Sequence, residues 1–146
     1  MGFFSALNSS ASALTAQRLR MDIIAENIAN VNTTRTENGT PYRRKTVIFE
    51  AQGDVPFSSY LSNASRQLIK SKGVRVSRIV EDQTPFKMVY DPGHPDADEN
   101  GIVQMPNVDV VTEMVNMISA TRAYEANVTA INATKSMAEK ALEIGR

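Results

Sequence analysis

The sequence predicts a mainly α protein with a small β insert, its N- and C-terminal helices paired as an antiparallel coiled coil and a short-stranded β domain between them. Three observations carry this. From Leu7, the positions Leu7, Ser10, Leu14, Gln17, Met21, Ile24, Ile28 and Val31 follow each other in alternating steps of three and four. Near the other end Val110, Met114, Met117, Thr121, Tyr124, Val128, Ile131, Lys135, Ala138 and Leu142 do the same. This is the heptad spacing of a coiled-coil seam. Between the two runs the period shortens, and β-branched stretches alternate with Gly, Pro and Asn. The division this implies is 1–34 and 107–146 as paired helices and 35–106 as a β-rich middle, with an insert at about 51–72.

The first helix is expected from Phe3 to Asn30. Its interior has no Gly or Pro and is rich in good helix formers. Asn30, Asn32, Thr33 and Thr34 compete for backbone hydrogen bonds and end it. Asn38-Gly39 and Pro41 then mark a turn. Four strands are expected, around Thr46–Phe49, Val74–Val80, Phe86–Tyr90 and Gly101–Met105, with Phe86, Met88 and Tyr90 on one face of the third. In Val55–Lys72 the spacing of Phe57, Tyr60, Leu61, Ala64 and Leu68 suits a short helix, while the Ser and Asn content suits an irregular insert. The last helix is expected from after Asn107 or Asp109 to Ile144. Asp109 would cap it, Glu113 would favour its positive end, and Gly145 would close it.

Composition narrows the function. Lys+Arg and Asp+Glu both number 16, so the basic excess of a nucleic-acid binder is missing. There is no Cys, which removes disulfides, thiolate metal sites and cysteine nucleophiles. One His leaves few general bases, and no phosphate loop, Gly-x-Ser-x-Gly or His-Glu-x-x-His occurs, so the sequence points away from an enzyme and calls for no cofactor. Ser and Asn interrupt the apolar residues of the N-terminus, unlike a cleavable signal peptide. No apolar stretch is long enough to span a membrane. Asp96, Asp98, Asn100 and Gly101 match the opening of a calcium loop, but Asn107 stands where the closing Glu belongs and nearby prolines exclude the entering helix. A calcium-binding adaptor is thus the weaker alternative. Basic Arg66, Lys70, Lys72, Arg75 and Arg78 face acidic Asp91–Glu99 in composition, as solvated surface or as patches that meet across neighbouring subunits.

Both terminal helices carry more apolar surface than one partner covers. In the last helix, Ala126, Ala130, Ala133 and Met137 form a second, nearly opposite stripe, and Val111, Val115 and Ile118 are expected to broaden the first. In the first helix, Ala16, Leu19 and Ile23 lie off the main seam. A helix of about 35 residues is about 50 Å long, more than a few short strands can cover. This predicts packing among related helices of other subunits. The expected assembly residues are Leu7, Leu14, Met21, Ile24 and Ile28, then Met114, Met117, Tyr124, Val128, Ile131 and Leu142, with the second stripe Ala126, Ala130, Ala133 and Met137.

Ala25-Glu26-Asn27-Ile28-Ala29-Asn30-Val31-Asn32-Thr33 resembles the N-terminal signature of the bacterial flagellar rod and hook protein family. Pro41–Phe49, Pro85–Asp98, Met105–Met117 and Arg122–Asn127 strengthen the resemblance. It implies a structural, axial subunit of the basal-body proximal rod, exported through the flagellar type III apparatus to the periplasm and transmitting motor torque; another rod or hook subunit is the alternative. It implies self-association within the rod and, as partners, other proximal rod subunits, the adaptor joining rod to export apparatus, and the distal rod. Asn27, Asn30 and Asn32 would stop the helix and bond the turn into the outer domain.

Overall fold

The computed structural model describes residues 3–52 and 73–145. In order, the elements are α1 (Phe3–Ala29), β1 (Lys45–Ala51), β2 (Val74–Glu81), β3 (Lys87–Tyr90), β4 (Ile102–Met105) and α2 (Val110–Ile144). The two long helices pack together and the small β region lies between them in sequence, as the heptads and strand runs predict. The helix or irregular segment expected from Phe57, Tyr60, Leu61, Ala64 and Leu68 lies outside the described residues, as do Arg66, Lys70 and Lys72.

The last turn of α1 tightens: Asn30 N–H still reaches Glu26 C=O at 3.1 Å, but Val31 N–H reaches back only to Ile28 C=O. Asp109 caps α2, its carboxylate accepting from the Thr112 N–H at 3.2 Å and from the Thr112 hydroxyl. Those two bonds, hydroxyl first, hold the Asp109 carboxyl below its ordinary range. The expected glycine closure of α2 is corrected: positive φ occurs at Gly39, Gly73 and Gly101, not at Gly145.

The strands form two separate two-stranded sheets, β1–β2 and β3–β4. β1 and β2 run antiparallel, with Asp82 N–H donating to Arg44 C=O and Gln52 N–H to Gly73 C=O, both at 2.8 Å. β3 and β4 pair from Lys87↔Met105 to Tyr90↔Ile102. In the turn that joins them Gly101 has φ 72°, and a Cβ there would lie 3.0 Å from the Tyr90 ring. The face shared by Phe86, Met88 and Tyr90 is not a core face. Met88 and Tyr90 are exposed, and Phe86 is half-buried under the Arg43 guanidinium, 4.4 Å from the ring centroid.

The chain divides into two compact units. The first holds Met1–Arg18, Phe49–Ser77 and Thr121–Arg146. In it Ala16 is buried, and the Ser12 hydroxyl joins α1 to the start of β2 by accepting from Val74 N–H at 3.0 Å. The second unit, Leu19–Ile48 and Arg78–Ala120, holds most of the buried residues: Ile23, Ile24, Tyr42, Val103, Val108 and Ala120, with the polar Asn27 and Glu113.

The deepest positions of both helices, Ile24 apart, lie one residue before the counted seam. In α1 the deepest residues are Ala16, Ile23, Ile24 and Asn27, so Ala16 and Ile23, expected off the seam, lie at its centre; Leu7, Leu14, Met21 and Ile28 are half-buried beside it. In α2 the buried residues are Glu113 and Ala120. Their apolar or neutral neighbours Met114 and Thr121 are exposed, as are Lys135 and Leu142, whereas Met117, Tyr124, Val128 and Ile131 are half-buried. Counting apolar residues favours Met114 over Glu113. The fold chooses Glu113 because its carboxylate is fully bonded, and Ala120 is small enough to be covered completely. Val111, Val115 and Ile118 do not broaden the buried face either; they are 69%, 62% and 54% exposed.

Candidate functional site

The family-like Asn motif, the Pro41–Phe49 stretch and the Met105–Met117 stretch converge on one buried polar junction in the second unit. Asn27 is wholly buried on the last turns of α1. Its amide treats Lys45 as a strand partner would: Nδ2 donates to Lys45 C=O at 2.8 Å and Oδ1 accepts from Lys45 N–H at 2.9 Å. The helix interior thereby supplies the hydrogen bonds that start β1. The same amide donates to Glu113 Oε2 at 3.0 Å and accepts from the Tyr42 hydroxyl at 3.0 Å.

Glu113 is 1% exposed and needs a cation to stay charged there. Arg44 supplies it. Its Nε donates to Glu113 Oε1 at 2.9 Å and its terminal nitrogen lies 2.8 Å from the same oxygen. The other terminal nitrogen reaches Asp82 at 3.4 Å, where β2 ends. Asp82 is held below its ordinary carboxyl range, chiefly by the Thr84 N–H and then by the Thr84 hydroxyl and Arg44. Asn107 closes the circuit: its Oδ1 accepts from Arg44 N–H at 2.8 Å, and its Nδ2 donates to Asp82 C=O and the Thr84 hydroxyl. Lys45 pairs with Glu26 and lies 5.5 Å over the Tyr42 ring. Burial, followed by the Glu26 carboxylate, pushes the Tyr42 phenol well above its usual range, so it is a fixed donor.

The three motif asparagines do different things. Asn27 does not stop the helix, which continues to Ala29; it is the bridge just described. Asn30 works locally, its Nδ2 donating to Glu26 C=O and its Oδ1 accepting from the Thr33 hydroxyl. Asn32 is exposed. Sequence reasoning missed Glu113, Arg44, Tyr42 and Asn107 as a group. Their one signal was that each falls inside a motif-like stretch; partners separated by 86 residues, as Asn27 and Glu113 are, share no local pattern.

The junction has no arrangement suited to group transfer. Its carboxylates are bonded to Arg44, Asn27 and Thr84 rather than aimed into an open cleft. Among the described residues no cluster of three His, Cys, Asp or Glu is placed to hold a metal ion. In the turn after β3, Asp96 accepts from the Thr34 hydroxyl at 2.7 Å, and His94 Nδ1 accepts from Asp96 N–H at 3.1 Å. No helix among the described residues is long and apolar enough to cross a membrane.

The second feature is the outer face of α2. Val111, Met114, Val115 and Ile118 lie within about 100° of one another in helical register and are all more than half exposed. Ala126, Ala133, Met137 and Ile144 follow on the same side at steps of three and four from Ile118 and Arg122, and all are exposed. Ala130 borders that line and is exposed too, whereas Leu142, also exposed, lies on the opposite side of the helix.

Residues 7–35 match the family model described as flagella basal body rod protein, and residues 99–144 match flagellar basal body rod FlgEFG protein C-terminal. The chain is 55% identical to the flagellar basal-body rod protein FlgC of Bacillus subtilis, all of both chains being covered. It is 50% identical to the protein of that name from Borreliella burgdorferi, covering 99% of this chain and 98% of the relative. To that of Salmonella typhimurium it is 42% identical, again over all of both chains.

Proposed function

The chain belongs to the flagellar basal-body rod protein family and is a structural subunit of the basal-body rod; from that premise we propose how its surfaces serve the assembly. Its place is the proximal rod, reached by export through the flagellar type III apparatus. Its neighbours are copies of itself, the other proximal rod subunits, the adaptor that joins the rod to the export apparatus, and the distal rod.

The observation that carries this reading is the outer stripe of α2. Fully covering a Val, Ile or Met side chain is worth roughly 1.5–3 kcal/mol. A stripe that begins with Val111, Met114, Val115 and Ile118 and ends with Ile144 therefore holds a large association free energy that the chain does not use on itself. Neighbouring helices are its natural cover. The small Ala126, Ala130 and Ala133 permit close approach, and Met137 fills irregular gaps. On the covered side, Leu7, Leu14, Met21, Ile24, Ile28, Met117, Tyr124, Val128 and Ile131 hold the helix pair together. The polar junction fixes the corner where the pair meets the β region, so that load entering one element is passed on rather than absorbed by bending.

Ala130→Asp tests the reading, because it charges the stripe without touching the junction. The chain should be exported normally and fail to enter basal bodies. Purified basal bodies with the full content of an Ala130→Asp chain, and normal swimming, would overturn it.

A further inference from the structure

The junction and the helix stripe leave one element uncovered. β3 pairs with β4 alone, so its other edge is open among the described residues. The register and the bond from Asp91 N–H to Gly101 C=O, 2.9 Å, make Val89/Val103 and Lys87/Met105 the hydrogen-bonded pairs. The N–H and C=O of Met88 and Tyr90 therefore point outward. Both side chains are exposed, Tyr90 by 75%. Natural edges are blunted by lysine, proline or a bulge. Lys87 does not serve, because its ammonium donates to Val108 C=O at 2.7 Å. Directly after this edge strand stands the exposed carboxylate of Asp91.

The complement is on the same chain. Among the described strands β2 pairs with β1 alone. Asp82 N–H bonds Arg44 C=O and the Thr46 hydroxyl donates to Val80 C=O, so at this end of β2 Asp82 and Val80 face β1 while Glu81 and Ile79 face outward. Ile79 is 46% exposed, and the exposed Arg78 has no carboxylate partner among the described residues. We propose that β3 of one copy adds antiparallel to the outer edge of β2 in a second copy, with Met88 opposite Glu81 and Tyr90 opposite Ile79. That register sets Asp91 opposite Arg78. The inference rests on the rod reading: two outward residues per strand make few bonds, and the assembly supplies the high local concentration at which they form.

The chain has no Cys, so introduced thiols report cleanly. Cells producing two chains, one Ile79→Cys and one Tyr90→Cys, should yield basal bodies in which a short thiol-specific linker joins the two. Asp91→Lys in the Tyr90→Cys chain should reduce that product severalfold, and Arg78→Glu in the Ile79→Cys chain should restore it. Met88→Pro removes an outward N–H without breaking the β3–β4 ladder and should abolish the product. A benzophenone side chain at Val115, on the helix stripe, serves as the control. Capture of neighbours at Val115 with no 79–90 product, or linkage of Tyr90 to a different protein, overturns the strand pairing and leaves the rod reading intact. Loss of capture at Val115 as well overturns both.

Discussion

The two faces of α2 invert the usual arrangement. The most deeply buried residues of its inner face are a glutamate and an alanine, Glu113 and Ala120, whereas its outer face begins with Val111, Met114, Val115 and Ile118. The inner face is held at Glu113 by directed bonds, which specify one register. The outer face carries non-directional apolar area, which specifies no partner geometry by itself but rewards any helix that covers it. A subunit built this way can hold its own corner rigid while keeping its hydrophobic free energy for its neighbours.

The comparison breaks first at Glu113. Glu113→Ala would leave the buried Asn27 amide without one acceptor and the partly exposed Arg44 guanidinium with Asp82 alone. Leaving a buried hydrogen-bonding group unsatisfied costs about 1–3 kcal/mol. Urea denaturation of the full chain should show that loss, with Glu113→Gln intermediate because it keeps an acceptor for Asn27. A cost below 1 kcal/mol for Glu113→Ala would mean that the junction is wet and flexible, and that the inner face is not fixed by it.

Gly73 sharpens the same contrast at the other end of α1, where a hydroxyl again does the joining. Gly73 has φ 147°, and an added Cβ would sit 2.3 Å from Ser12 Oγ. Gly73→Ala should therefore cost about 1–3 kcal/mol through backbone strain and overpacking together. Ser12→Gly in the same chain should recover the packing part but not the strain. Full recovery in urea melts would show that φ at this residue relaxes freely.

Asp109 and Asp82 give a smaller, pH-dependent effect. Their carboxyl groups titrate lower in the folded chain than in the unfolded one, through hydrogen bonds from Thr112 and Thr84 respectively. Their contribution is therefore complete above the unfolded value, about pH 4, and is lost as pH falls through the lowered native values. Melting temperature should drop between pH 5 and pH 2, and Asp109→Asn should flatten part of that drop. An unchanged slope in the variant would show that the cap adds nothing.

Most of the architecture was legible in the sequence because it is written in local signals. Gly-free heptads gave α1 and α2 to within a residue or two, Asp109 announced its cap, and Asn38-Gly39 a turn. The exposed stripe through Ala126, Ala133 and Met137 was legible for the same reason, since it is a helical period. The junction was not. Hydropathy ranks Glu113 as surface and Met114 as core, and nothing within one helical turn of Glu113 reveals Arg44, which lies 69 residues away. Asn27 misled in the opposite sense: asparagine near a helix end reads as a stop, yet here it is an interior side chain standing in for a strand backbone.

The smallest effect on stability is the most telling for function. Val115 is 62% exposed, so Val115→Ser removes little buried area from the isolated chain. The expected change in unfolding free energy is within about 0.5 kcal/mol, the range of ordinary surface substitutions. Yet the same change deletes part of the stripe on which neighbours would rest. Its signature is a dissociation: urea melts indistinguishable from those of the parent chain, and fewer or more fragile basal bodies under mild acid or detergent. A Val115→Ser chain that melts markedly earlier would mean that the outer face is already covered by the chain's own residues. The inversion between the two faces would then vanish, and with it the physical reason for the helix pair to seek company.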